Sequence, residues 1–194
     1  MNFLSHLYLS GDSEGLLIGN FIADSVKGSD LLKYPQEVQK GIILHRKIDT
    51  YTDAHPIVEE SKKRLRERYK KYASVIVDVY YDHYLAANWN NYSSLGLDEY
   101  AQQVYQLIHV NKEHLPLKSA MFNQYMVEYN ILVAYARLEG IEQVLQGMSR
   151  RASFESNMQH AIHDLKEHYE LFGKEFEQFF PELQQFVNTQ IEIS

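Results

Sequence analysis

In the segment HRKIDTYTD, His45, Asp49 and Asp53 recur every four residues, and in VIVDVYYDHYL the residues Asp78, Asp82 and His83 interrupt an aliphatic and aromatic run. Residues four apart share one face of a helix, so His45 aligns with Asp49, and Asp78 with Asp82. His83 stands about 100° further round the axis, at the edge of that face. Carboxylates in apolar surroundings are costly unless paired, and two on one face repel until a proton or a cation relieves them. A metal ion is one such cation, and an arginine such as Arg46 is the other. Asp24 in GNFIADSVKG and His6 in NFLSHLYL are two more titratable residues set among apolar ones. Taken singly, each reads as a satisfied core residue, and an Asp-x-x-x-Asp pair reads as a solvated stripe. Taken together they form a mixed His and Asp set from four helices, of the kind that holds Mn, Fe, Zn or Mg, with the carboxylate majority favouring the harder ions.

The elements that carry these residues are all helical. The chain has only four prolines and nine glycines, and the segments between them follow helical rather than alternating periodicity. A short helix is expected at 3–9. Ser13 caps a second helix that Gly28 ends, Pro35 opens a third that stops before the His55-Pro56 pair, and Pro56 opens a fourth. Further helices are expected near 73–89, 97–110, 118–138, 140–150 and 153–190, with Pro181 breaking or kinking the last. At 194 residues the reading is all-α, one compact helical domain spanning 1–194.

With no cysteine, any metal must be held by imidazole nitrogen or carboxylate oxygen. A formal charge of -7 argues against a nucleic-acid partner. The start MNFLSHLYLS lacks a basic leader and no long apolar run follows, so a cytoplasmic protein without a membrane partner is expected. The sequence carries no signal for oligomeric state. Seven of the nineteen basic residues, including Arg64, Arg66 and Lys70, lie between Lys62 and Lys71. That run reads either as a solvated face or as a docking surface for an acidic partner. The cluster HAIHDLKEH reads as a solvated face. There is no Glu-x-x-His, His-Glu-x-x-His, phosphate-binding glycine loop or Gly-x-Ser-x-Gly.

The segments MNFLSHLYLS, GNFIADSVKG, GIILHRKIDTYTDAHP, DVYYDHYLAANW and GMSRR together resemble the acyl carrier protein phosphodiesterases, also called acyl carrier protein hydrolases, over most of the chain. This resemblance implies a fold related to the His-Asp metal phosphohydrolases and a divalent metal, Mn2+ foremost, with Mg2+, Fe2+ or Zn2+ as alternatives. The substrate it implies is holo acyl carrier protein, cleaved at the phosphodiester to apo carrier protein and phosphopantetheine. By motif position His6, Asp24, His45, Asp49, Asp78 and Asp82 are the expected metal set. Asp82 or His83 is expected to orient water or protonate the leaving oxygen. Arg46, Arg64, Arg66, Lys70, Arg150 and Arg151 are the cations expected to meet phosphate or carrier protein. The motif YDH departs from the adjacent His-Asp order of the wider superfamily, and spacing does not single out which residues touch the ion. Two other readings fit the same residues: a phosphohydrolase of small molecules such as nucleotides, or a non-catalytic helical protein that binds an acidic partner.

Overall fold

Helices and 3-10 turns account for the regular structure of residues 1–193, which the computed structural model describes. In chain order the helices are α1 (Phe3–Tyr8), α2 (Glu14–Ile22), α3 (Gln36–Ala54), α4 (Pro56–Tyr69), α5 (Ala73–Ala87), α6 (Leu97–Val110), α7 (Leu117–Glu128), α8 (Ile131–Ala134), α9 (Leu138–Arg151), α10 (Ala161–Glu167) and α11 (Tyr169–Ile193). Ser13 Oγ accepts from the Leu16 amide at the head of α2, as the capping rule requires. The α3 helix ends at Ala54, where His55 turns extended ahead of Pro56.

Three segments differ from the sequence expectation. The second helix stops at Ile22, giving way to a 3-10 turn at Ala23–Ser25 and another at Gly28–Lys33, so Gly28, at φ +48°, opens a turn instead of closing a helix. The stretch expected at 118–138 is divided at Asn130, which adopts φ +44° between α7 and α8. The C-terminal stretch splits into a loop, α10 and the long α11, which runs through Pro181 without ending.

The core is aromatic, and α5 runs through it. Phe172, Phe176, Phe179 and Phe180 of α11 are fully buried. They meet α5 through Tyr80 on Phe172 (5.0 Å between centroids) and Tyr81 on Phe176 (5.7 Å). With hydrophobic residues on nearly every side of α5, its carboxylates have to find partners inside the molecule. On the other flank α2 and α3 approach backbone to backbone. A Cβ on Gly19 would lie 2.7 Å from Gly41 Cα, and one on Gly41 would lie 2.8 Å from Gly19 Cα. This approach sets the residues following Gly19 over the middle of α3.

The basic run on α4 is tied into the fold. Lys62 reaches Asp53 at 2.6 Å, Lys63 reaches Glu60 at 2.7 Å, Arg66 forks onto Glu59 and Arg68 meets Asp164 at 3.0 Å. Arg64 grips Glu175 of α11 with two hydrogen bonds and lies 4.8 Å over the Phe172 ring. Both guanidinium groups, expected to meet substrate, pair here with carboxylates of the chain itself, Arg64 part-buried and Arg66 at the surface. Lys70 is exposed at φ +50° where α4 ends.

Candidate metal centre

Three helices and the 3-10 turn after α2 deliver a histidine and carboxylate cluster to one cleft of about 290 Å³. From α3, His45 and Asp49 share a face and pair at 3.2 Å (Nε2 to Oδ2). From α1, His6 Nε2 lies 3.1 Å from the other Asp49 oxygen. The two imidazoles stack at 3.9 Å, and the ligating atoms of His6, His45 and Asp49 all lie within 4.8 Å of one another. Asp24, in the turn after α2, points its Oδ1 at His45 Nε2 from 3.5 Å while remaining 72% exposed. Asp78 of α5 lines the same cleft, with its Oδ1 3.0 Å from the Met1 amino nitrogen.

Asn20 fixes the orientation of His6. Its Nδ2 donates to Ser10 Oγ at 2.8 Å, which leaves its Oδ1 to accept from His6 Nδ1 at 3.2 Å. The Nδ1 proton is thereby assigned, and Nε2 turns its lone pair toward Asp49. Burial, helped by the neighbouring His45 charge, lowers His6 to about 4, so at neutral pH the imidazole presents an acceptor to a carboxylate. Two acceptors 3.1 Å apart require a cation between them or a proton on one of them.

His45 behaves in the opposite way. Burial pushes it down, but hydrogen bonds to Asp24 and Asp49 outweigh burial and hold it at about 9. Burial raises Asp49, and the two histidines more than reverse this, holding its carboxyl well below the usual carboxylate range. The bond to His45 lowers Asp24 as well. The cluster is thus a neutral imidazole, a protonated imidazole and two ionised carboxylates, and a divalent ion could replace the His45 proton.

These shifts carry a stability prediction for the metal-free protein. A folded-state value of about 9 for His45, against an ordinary 6.5, gives stability that is complete below pH 6.5 and lost as pH rises through 9. His6, held at about 4 against 6.5, costs stability as pH falls below 6.5, because the unfolded chain takes the proton first. Melting temperatures in chelator should therefore decline between pH 6.5 and 9, and His45→Gln should flatten that limb. A wild-type profile that stays level across this window would contradict the His45 assignment.

Two of the residues expected to hold the metal or do the chemistry do not line the cleft. Asp82 is fully buried at the N-terminus of α1, where its carboxylate accepts from the Leu4 amide (2.8 Å), the Ser5 amide (3.1 Å) and the Ser5 hydroxyl. It satisfies the orphan donors at the head of α1 and so anchors the helix that carries His6. Burial raises it to about 6, with the Ser5 hydroxyl opposing. His83 donates from Nδ1 to the Tyr135 carbonyl (2.8 Å) and accepts at Nε2 from the Tyr169 hydroxyl (2.9 Å). Both its nitrogens are satisfied away from the cluster.

Among the cations, Arg46 donates to the Val26 carbonyl at 2.9 Å and braces the turn that presents Asp24. Arg150 lies in a separate surface groove with His160 and His163, and Arg151 rests 5.5 Å over the Tyr125 ring. The basic residue that lines the cleft is instead Lys71, which stacks 4.2 Å from the Phe154 ring. Lys71 is the last residue of the basic run, whereas Asn20 is not among the expected site residues. Asn20 stands four residues before Asp24, a spacing that could have revealed it.

The family model described as acyl carrier protein phosphodiesterase matches residues 1–183. A protein of that name from Photorhabdus laumondii is 33% identical over 182 residues, covering 93% of this chain and 92% of its own. Another from Yersinia enterocolitica is 34% identical over 185 residues, covering 93% and 94%. A third from Pectobacterium atrosepticum is 31% identical over 191 residues, covering 98% and 99%. No solved structure matches the chain.

Proposed function

The chain belongs to the acyl carrier protein phosphodiesterase family, and from that premise we propose that its His and Asp cleft holds a divalent metal, Mn2+ foremost, and hydrolyses the phosphodiester between phosphopantetheine and the carrier protein serine. The observation that carries this reading is the convergence of His6, His45 and Asp49, with their ligating atoms within 4.8 Å of one another. Hydrogen bonding by Asn20 gives His6 the tautomer a ligand needs.

His6 Nε2, His45 Nε2 and the Asp49 carboxylate would hold the ion, with Asp24 at the lip of the cleft. When bound, a divalent ion supplies the Lewis acidity that lets water attack phosphorus near neutral pH and offsets phosphoryl charge. The chain's own groups do the rest. Lys71, on the wall of the cleft, gives the anionic diester a cation to approach. Asp24, exposed at the lip and kept ionised by His45, is positioned to accept a hydrogen bond from the attacking water and orient it. Asp78 lines the cleft 3.0 Å from the Met1 amino nitrogen, and this pair is placed to pass a proton to the departing serine oxygen. Asp82 acts indirectly, by fixing the helix on which His6 sits.

Mass spectrometry of holo carrier protein incubated with enzyme and manganese tests the reaction. The expected result is loss of the phosphopantetheine mass from the carrier, with nucleotides left intact under the same conditions. A carrier that keeps its full mass sinks the proposal, and nucleotide hydrolysis in its place would move the reading to a small-molecule phosphohydrolase.

A further inference from the structure

A second, smaller hollow of about 70 Å³ lies next to the metal cleft, and the two share Asn2 and Phe3 as a common wall. Their chemistries differ. The cleft sets histidines, carboxylates and Lys71 among apolar residues such as Leu7, Phe21 and Val75, whereas the hollow is walled by Phe122, Tyr125, Ile131, Val144 and Met148, with Arg151 its one charged side chain. It is a seam between two helices. Phe122 and Tyr125 fall three apart on α7, while Val144, Met148 and Arg151 follow the four-then-three spacing of one face of α9. Phe3 stacks on Phe122 at 4.3 Å, closing the partition, and Arg151 lies over Tyr125.

A ligand that occupies both hollows must be anionic at one end and narrow and apolar at the other. We infer that the hollow behind Phe3 receives the thiol end of the carrier protein's arm, an inference that rests on the phosphodiesterase reading above. At about 70 Å³ the hollow is narrow as well as apolar, which suits the unbranched end of the arm, two methylenes and a sulfur, better than its branched middle. With the phosphate beside His6, His45 and Asp49, the arm passes over Asn2 and Phe3. The Arg151 guanidinium, a donor only, is available to the amide carbonyls along its length. The GMSRR segment thereby acquires a role that neither the metal set nor a phosphate contact gave it.

The test compares two carrier proteins, one with the complete arm and one whose arm ends before the cysteamine unit, on wild type and on Val144→Phe. Wild type should show a KM on the order of tenfold or more higher for the shortened arm, at similar kcat, because an apolar pocket loses its occupant. Val144→Phe fills the hollow, so its KM for the complete arm should rise to the wild-type value for the shortened one, and shortening the arm should cost it nothing further. Because Val144 is only 8% exposed, Met148→Phe, at a half-buried position on the same wall, serves as the second variant if the first fails to fold. Wild type that is active yet indifferent to arm length overturns this inference alone, as does a variant slowed equally on both arms. Wild type that releases nothing from either carrier overturns the phosphodiesterase reading and this inference with it.

Discussion

Replacing Asp49 with Asn should lower kcat/KM for holo carrier protein on the order of a thousandfold or more, which corresponds to about 4 kcal/mol of transition-state stabilisation. Asp49 is the one residue whose two oxygens serve both imidazoles, Oδ1 toward His6 and Oδ2 toward His45. Asn keeps the volume but removes the charge and offers an N–H where an acceptor is needed. Metal occupancy should fall with activity, and the stabilisation that metal confers on the native state should largely vanish. The fold should persist, since Asp49 is partly exposed at the cleft and not a core residue. A variant that keeps more than a tenth of wild-type activity would remove Asp49 from the proposed ligand set.

The opposite signature is expected for Asp82→Ala. This change leaves two backbone amides and the Ser5 hydroxyl without their acceptor in a fully buried position. Orphaning the donors of a buried charge-assisted network costs about 3–5 kcal/mol, or roughly 10 °C of melting temperature for a chain of this size. Both apo and metal-loaded protein should lose this amount, because Asp82 stabilises the head of α1 whether or not an ion is present. The milder Asp82→Asn should retain metal binding and a measurable metal-induced rise in melting temperature. Selective loss of metal binding in Asp82→Asn, with apo stability unchanged, would return Asp82 to the cleft. The contrast with Asp49→Asn separates a residue that holds the helix from residues that would hold the ion.

How far the sequence could be read depended on the range of the interactions involved. Helix α6 appears at the expected 97–110, and α3 ends where the His55-Pro56 pair requires, because those signals lie within a few residues of what they control. The pairing of His45 with Asp49 was equally local, a spacing of four on one helix. The same spacing misled at Asp82. An acid within an apolar helix demands a partner, but whether that partner is a metal or a backbone amide 78 residues earlier is decided by how α1 packs on α5. The basic run of α4 was legible as charge, but its partners within the chain were not, for the same reason. The carboxylates that neutralise Arg64 and Arg68 are Glu175 and Asp164, which the sequence places far away and the fold brings alongside. Asn20 came to light through packing, in its contacts to His6 and Ser10, and so did the place of Lys71 in the cleft wall.

The most direct measurement is anomalous X-ray scattering from crystals of the protein grown with manganese. One anomalous peak is expected in the cleft, at roughly 2.0–2.4 Å from His6 Nε2, His45 Nε2 and an Asp49 oxygen, with His6 Nδ1 still facing Asn20. The peak should be absent from Asp49→Asn and present in Asp82→Asn. A well-ordered peak elsewhere in the molecule, or an empty cleft in crystals of enzyme that still cleaves holo carrier protein, would contradict the assignment of the metal to these residues.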